Sequence, residues 1–458
     1  MMSNQAKFNS LRKTFATFCF QDYEYLVKEG NFFAKFDFIL RKNDGTIIEF
    51  HPNFEIPARD FYHWDEIPKH VLDNLVFHIG MIELVSYWKI ACPNTVIINP
   101  FTLDEEQLQW WKKLYFNGLG EFFYVNGIDT NFEDFMRIEN AASAKKRESL
   151  FVSKDFFDER TLVPVGGGKD SVVTLELLRK QMPVKPLIIN PRGATKECVA
   201  VAGFDENDVA EVRRTLDPTM LKMNAEGYLN GHTPFSALLA FYTVLLGFAT
   251  RSKYIALSNE SSANEPTVPD TEINHQYSKS VAFENDFRRY VLRYISPDIQ
   301  YFSFLRPLNE LQIARLFSKE KQYRKAFKSC NVGSKSDTWC GKCPKCLFTW
   351  IALSPFISRT ELTEIFGKDL LKDNDLRPVL EQLDGKAEVK PFECVGTVGE
   401  VRTCVEHAVK QGENKNGTIF DDVSFADNLS VEDYLKQFDE HHNLPEQFER
   451  ILKEALHD

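Results

Sequence analysis

Apolar residues recur at helical spacing between Val71 and Ile90, where Leu75, His78, Met81, Ile82, Val85 and Trp88 share one face. That period predicts a core helix, with His78 as a core histidine. Asp104–Leu119 repeats the period and carries Trp110 and Trp111, while Phe33–Leu40 and Thr46–Phe50 read as strands. Beyond residue 160 the pattern alternates. Thr161–Val165, Pro186–Ile189 and Tyr254–Ser258 are short strand-like runs; Ser171–Gln181, Asp205–Leu216 and Pro234–Arg251 are helical. Such alternation predicts an α/β fold, a parallel sheet with helices on both faces. Three regions follow: an α+β domain over 1–155, the α/β domain over 156–318, and a cysteine-bearing module with short helices over 319–458. The polar run Ala141–Arg147 reads as a linker or a solvated helix end.

The 458 residues suffice for several packed domains. With 55 basic against 66 acidic residues the net charge is −11, which argues against a generally basic nucleic-acid coat. The 39 Phe residues read as core filling. The most apolar run, Pro234–Ala249, falls short of the roughly 20 residues a bilayer span needs. The first residues show no apolar leader segment, so no membrane role is expected. Nine cysteines, an odd number with four in one window, suggest a metal site in a reducing compartment and hence a cytoplasmic protein.

The densest chemistry lies in TLVPVGGGKDSVVTLELL. A strand ends at Val165, Gly166, Gly167 and Gly168 turn, and Lys169, Asp170 and Ser171 open a helix. Glycines let backbone N–H groups approach an anion, and a helix N-terminus adds partial positive charge. Lys169 suits phosphate oxygens, Asp170 a metal ion or loop ordering, and Ser171 a phosphate or a cap. A Walker loop is excluded because Val163 stands where its first glycine belongs and Asp170 separates Lys169 from Ser171. Farther on, Cys330, Cys340, Cys343 and Cys346 are spaced C-x9-C-x2-C-x2-C, with Gly341 and Pro344 permitting tight turns. Four thiolates suit a tetrahedral structural zinc, with an iron–sulfur cluster as the competitor.

Residues 166–171 (GGGKDS) resemble the SGGxDS loop of the ATP pyrophosphatase superfamily, departing only in Gly166 for the usual Ser. The resemblance implies ATP with Mg²⁺, cleaved to AMP and pyrophosphate as a substrate oxygen is adenylated. Wider stretches look like one family, the ATP-dependent epimerases of UDP-N-acetylmuramoyl-L-alanyl-L-glutamate. These are FHIGMIELVSYWKIACP, GLGEFFYVNGID, VGGGKDSVV, SNESSANEPTV, INHQYSKS, CGKCPKC and KPFECVGTVGE, in that order along the chain. That likeness implies a UDP-muramoyl dipeptide as substrate, an acyl-adenylate on its glutamate, and a zinc packing the C-terminal segment. It also implies peptidoglycan-precursor synthesis, with no nucleic-acid partner.

By the same resemblance Lys169, Asp170 and His232 are catalytic candidates, and Asn259, Glu260 and Asn264, after a strand end, are candidates for substrate or Mg²⁺. His232 precedes an apolar helix and is equally placed to cap it. Cys394 and Cys198 are thiols of the kind that serve other amino-acid epimerisations, or else inert buried residues. Lys89, Lys279, Arg288, Arg289, Arg293 and Arg306 are cations available to a diphosphate. Two rivals share the loop and the cysteines: a nitrile-forming enzyme resembling 7-cyano-7-deazaguanine synthase, and a tRNA thiolase.

Overall fold

The computed structural model describes residues 3–146, 156–268, 271, 273–275, 277–412, 417–421, 423 and 429–457. Residues 147–155, which hold the expected border at 155 and the end of the Ala141–Arg147 run, lie outside the described residues. The fold is mixed α/β. Its first strands are β1 (Phe15–Lys28), β2 (Asn31–Lys42), β3 (Ile47–Phe50), β4 (Asn53–Ile56), β5 (Thr95–Ile98) and β6 (Arg137–Asn140). There follow β7 (Asp158–Pro164), β8 (Val184–Ile189), β9 (Ala210–Thr215), β10 (Ser252–Leu257) and β11 (Gln300–Ser303). The described residues gather into two compact units. One comprises Met1–Glu159, Ala210–Tyr254 and Asp286–Gln300; the other comprises Arg160–Val209, Ile255–Asn285 and Tyr301–Asp458.

In the first unit the strand order is β9-β4-β2-β1-β5-β6, with β3 also on β2. β1 and β2 form a long antiparallel hairpin, whereas β1–β5 and β5–β6 are parallel. β9 runs antiparallel to β4 of the expected N-terminal region, pairing Asn53 with Thr215 and Glu55 with Arg213, whereas β7 and β8 of the expected α/β region pair in parallel. Asp205–Leu216 is not helical but a short 3₁₀ turn followed by β9. Local helix propensity there yields to a cross-strand partner some 160 residues away, in a strand that buries Ala210 and Val212.

The helix Lys69–Trp88 agrees with its period to within two residues, but it is buried nearly all round, 17 of 20 positions. A helix so enclosed is core on every side. Phe20 stacks on Phe77 with centroids 5.7 Å apart, and Gly80 gives Phe20 room: a Cβ there would meet its Cζ at 2.3 Å. His78 is a core histidine as expected, its ring nitrogens 2.7 Å from the Asn74 carbonyl and 2.9 Å from the Tyr290 hydroxyl. The apolar helix Phe235–Ala249 is also buried, and no helix among the described residues is long and apolar enough to cross a membrane.

Glu83, on the first of these helices, is 1% exposed and receives a two-pronged ion pair from Arg214 of β9. Removing one partner of a buried pair strands the other charge, at a cost of about 3–5 kcal/mol. Glu83→Ala is therefore expected to lower unfolding stability by about that amount in urea titrations.

In the second unit the order is β11-β10-β7-β8, with β7 and β8 parallel from Thr161↔Val184 to Pro164↔Leu187. The helix Lys169–Arg179 follows β7 and packs on the helix Glu310–Lys319. The helix Pro344–Leu353 packs on the latter and on the helix Val398–Lys410. These contacts bring three distant stretches of chain to the end of β7.

Candidate functional site

The turn from β7 into its helix is built as the glycines predict. Gly167 has φ +79°, a left-handed conformation suited to glycine, and a Cβ there would lie 3.0 Å from the Ala194 backbone. A Cβ on Gly168 would meet Ser329 Oγ at 2.8 Å. Around Gly166 nothing lies within 4 Å of an added Cβ, so this side of the loop faces open space. The Gly167 carbonyl accepts from the Lys328 N–H at 2.8 Å, tying the loop to the segment that leads into the cysteines. Ser171 is buried and donates to the Gly168 carbonyl at 3.0 Å, so it closes the first turn.

Lys169 points inward. Its ammonium is 3% exposed, pairs with Asp170 and with Glu310 at 2.5 Å, and lies 5.9 Å from the centre of the Phe348 ring. Burial drives Glu310 above the usual carboxylate range, with Lys169 opposing and Asp170, Glu260 and Glu400 reinforcing the rise. Glu400 accepts from the Glu310 N–H at 2.7 Å. Four carboxylates thus sit within electrostatic reach of one another, against the cations Lys169 and Lys279.

Glu260 is buried; its side chain accepts from Ser262 at 3.1 Å and its carbonyl from Arg306 at 2.6 Å. Arg306 is fully buried, pairs with Glu284 and also donates to the Lys279 carbonyl, so it orders this loop from beneath. Asn259 donates to Ser303 at 2.9 Å, and Asn264 accepts from the Val281 N–H at the start of a helix. Lys279 is half-buried and donates to Cys394 Sγ at 3.0 Å. In the first unit His232 pairs with Glu121 at 3.2 Å.

The other expected cations are engaged elsewhere. Arg289 pairs with Asp286, Arg293 with Glu106, and Lys89 is buried against the Gly231 carbonyl. Sequence reasoning missed Glu310 and Glu400. Each lies in the first turn of a helix and belongs to a capped start, Asn309-x-x-Gln312 and Thr397-x-x-Glu400. Capping is reason enough for acids there, so nothing in the sequence marks them further.

The four cysteines converge. Cys343 is the N-cap of the helix Pro344–Leu353, Pro344 is its first residue, and Cys346 lies one turn on. Gly341 turns at φ +65°, where a Cβ would strike Lys368. Sulfur separations are 3.8 Å for Cys330–Cys343, 3.7 Å for Cys340–Cys346 and 3.5 Å for Cys343–Cys346. All four ligand atoms lie within 4.8 Å of one another. A zinc–sulfur bond of about 2.3 Å gives a tetrahedral edge of about 3.8 Å, so the quartet fits a single ion. A cluster spreads its thiolates over several irons and would hold them farther apart. Backbone N–H groups of Gly333 and Cys340 point at Cys330 Sγ, and those of Lys342 and Cys343 at Cys340 Sγ.

Comparison with known proteins places these features. The MurL N-terminal domain matches residues 9–304 and the MurL C-terminal domain residues 325–435. A UDP-N-acetyl-alpha-D-muramoyl-L-alanyl-L-glutamate epimerase of Xanthomonas oryzae is 36% identical over 74% of this chain and 76% of its own. One from a Micromonospora species is 37% identical over 70% and 72%. A third, from Salinispora tropica, is 33% identical over 84% and 82%. No solved structure matches the chain.

Proposed function

Because the chain belongs to the MurL family, we propose that it inverts the terminal L-glutamate of UDP-N-acetylmuramoyl-L-alanyl-L-glutamate to the D form, at the expense of ATP, in peptidoglycan-precursor synthesis. The match to three epimerases over most of both chains carries the activity. The chemistry explains why such an enzyme needs a nucleotide loop. A carboxylate beside Cα resists proton loss because the product would be a dianion. Attack of that carboxylate on the α-phosphorus of ATP expels pyrophosphate and leaves an electron-withdrawing acyl phosphate. The Cα proton then comes within reach of a side-chain base, and water finally releases AMP.

What supports ATP here is the loop at the end of β7: its open face at Gly166, its glycine turn, and the helix that starts at Lys169. The surrounding carboxylates would repel a bare triphosphate, so Mg²⁺ would accompany it, and Asp170 and Glu260 are the carboxylates that would hold it. Lys169, held by Asp170 and Glu310, keeps these acids from dispersing the site by mutual repulsion. Asn259 and Asn264 position substrate on the loop after β10. Cys330, Cys340, Cys343 and Cys346 hold a structural zinc that fixes the Lys328–Gly167 contact below the loop.

The test is AMP release from ATP with UDP-N-acetylmuramoyl-L-alanyl-L-glutamate, compared with free L-glutamate, carboxy-deazaguanine and bulk tRNA. Release with the muramoyl dipeptide alone, accompanied by D-glutamate after acid hydrolysis, is expected. Release only with tRNA, or without inversion, would overturn the assignment.

A further inference from the structure

The epimerase reading requires a base at Cα, and the roles given above to Lys169, Asp170, Glu260, Asn259 and Asn264 leave that one unfilled. We propose that Cys394 removes the Cα proton of the activated glutamate, as a thiolate held in place by Lys279; this rests on the proposed epimerase activity.

The geometry is specific. Lys279 Nζ lies 3.0 Å from Cys394 Sγ, and both residues are half-buried. The segment carrying Cys394 is pinned on both sides. Before it, Lys390 pairs with Glu265; after it, Glu400 caps its own helix through Thr397 and accepts from the Glu310 N–H. Glu393 accepts from the Lys345 N–H at 3.1 Å. The Lys279 ammonium is also stabilised by the charges of Glu260 and Asp170, so it lies within electrostatic reach of the glycine loop.

The charges around the sulfur agree. Burial alone would raise the thiol, but Lys279, Lys345 and a hydrogen bond from His275 outweigh it and bring Cys394 down to about 5. The other cysteines outside the quartet are not so placed. Cys198 is buried and pushed up to about 12, Cys19 is pushed up to about 11, and Cys92 and Cys404 are fully enclosed and raised by burial. A thiolate on an ammonium is a poor core element, and at neutral pH it stands already deprotonated to accept a proton.

In the step itself Cys394 Sγ forms a bond to the Cα proton, and the C–H electron pair moves into the acyl carbonyl to give an enolate. A second proton donor on the opposite face, a protein acid or bound water, protonates Cα to the D centre. The Cys394 proton passes to solvent and restores the thiolate.

Cys394→Ser and Cys394→Ala, with ATP, Mg²⁺ and the muramoyl dipeptide in heavy water, test this. We expect pyrophosphate still to form in a single turnover, while deuterium entry at Cα and D-glutamate formation fall about 10³-fold. Deuterium entry at the wild-type rate in either variant overturns the proposal. A wild type that exchanged Cα hydrogen without forming pyrophosphate would remove the adenylation, and loss of exchange in the variants would still uphold the thiolate. A wild type inert in both assays overturns both. Ligand-free protein gives a second readout. The ultraviolet thiolate absorbance of wild type minus Cys394→Ser should show a step near 5, moving toward an ordinary thiol's value of about 8.5 in Lys279→Met. A difference spectrum without a step below neutral pH contradicts a resting thiolate.

Discussion

Asp170→Ala is expected to yield a folded protein that forms no measurable pyrophosphate. The side chain is a third exposed, and its recorded partner is the adjacent Lys169, which keeps Glu310 when Asp170 is gone. The loop geometry comes from Gly167, Gly168 and their contacts with Ala194 and Ser329, which the substitution does not touch. The cost to stability should therefore stay within about 1 kcal/mol. The cost to activity is of another order. A group that fixes charge on a transferring phosphoryl unit contributes about 10²–10³ in rate, and loss of a metal ligand adds to that. A coupled pyrophosphate assay beside a thermal melt separates the two effects. Full turnover in the variant would show that the loop is not the nucleotide site.

The second large effect concerns the cysteines. Cys343→Ser should abolish stoichiometric zinc and lower the melting temperature sharply, and a strong chelator should do the same to the wild type. A structural zinc couples roughly 10–16 kcal/mol of binding free energy to folding, and the substitution leaves Cys330, Cys340 and Cys346, the last two 3.7 Å apart, one ligand short of a closed tetrahedral site. Cys343 is central because it touches Cys330 and Cys346 and caps the helix Pro344–Leu353, which packs on the helices bearing Glu310 and Glu400. Pyrophosphate formation should fall with the zinc. Equal melting with and without metal would leave the quartet without a structural role.

The chemistry of this chain was more legible than its topology. GGGKDS and the cysteine spacing are local: turn, helix start and ligand set lie within a few residues, and the structure builds both where the pattern puts them. Strand β1 escaped notice because only its first residues alternate into the core; after Phe20 the run QDYEYLVK leaves it. β9 was misread as helix because its partner β4 lies far off in sequence, and a single segment carries no trace of that pairing. The acids at 310 and 400 hid behind capping motifs. Cys394 and Cys198 looked alike as short-range patterns. What separates them is an ammonium brought from residue 279, more than 100 positions away.

The central claim is that the substrate's own carboxylate is joined to the α-phosphorus of ATP before the proton leaves. A heavy-oxygen label in that glutamate α-carboxylate tests it in one experiment, read by mass spectrometry of the AMP formed during turnover. Capture of one labelled oxygen by the AMP phosphate is the predicted result. AMP carrying oxygen from solvent alone, with the label wholly retained in the product glutamate, would contradict it.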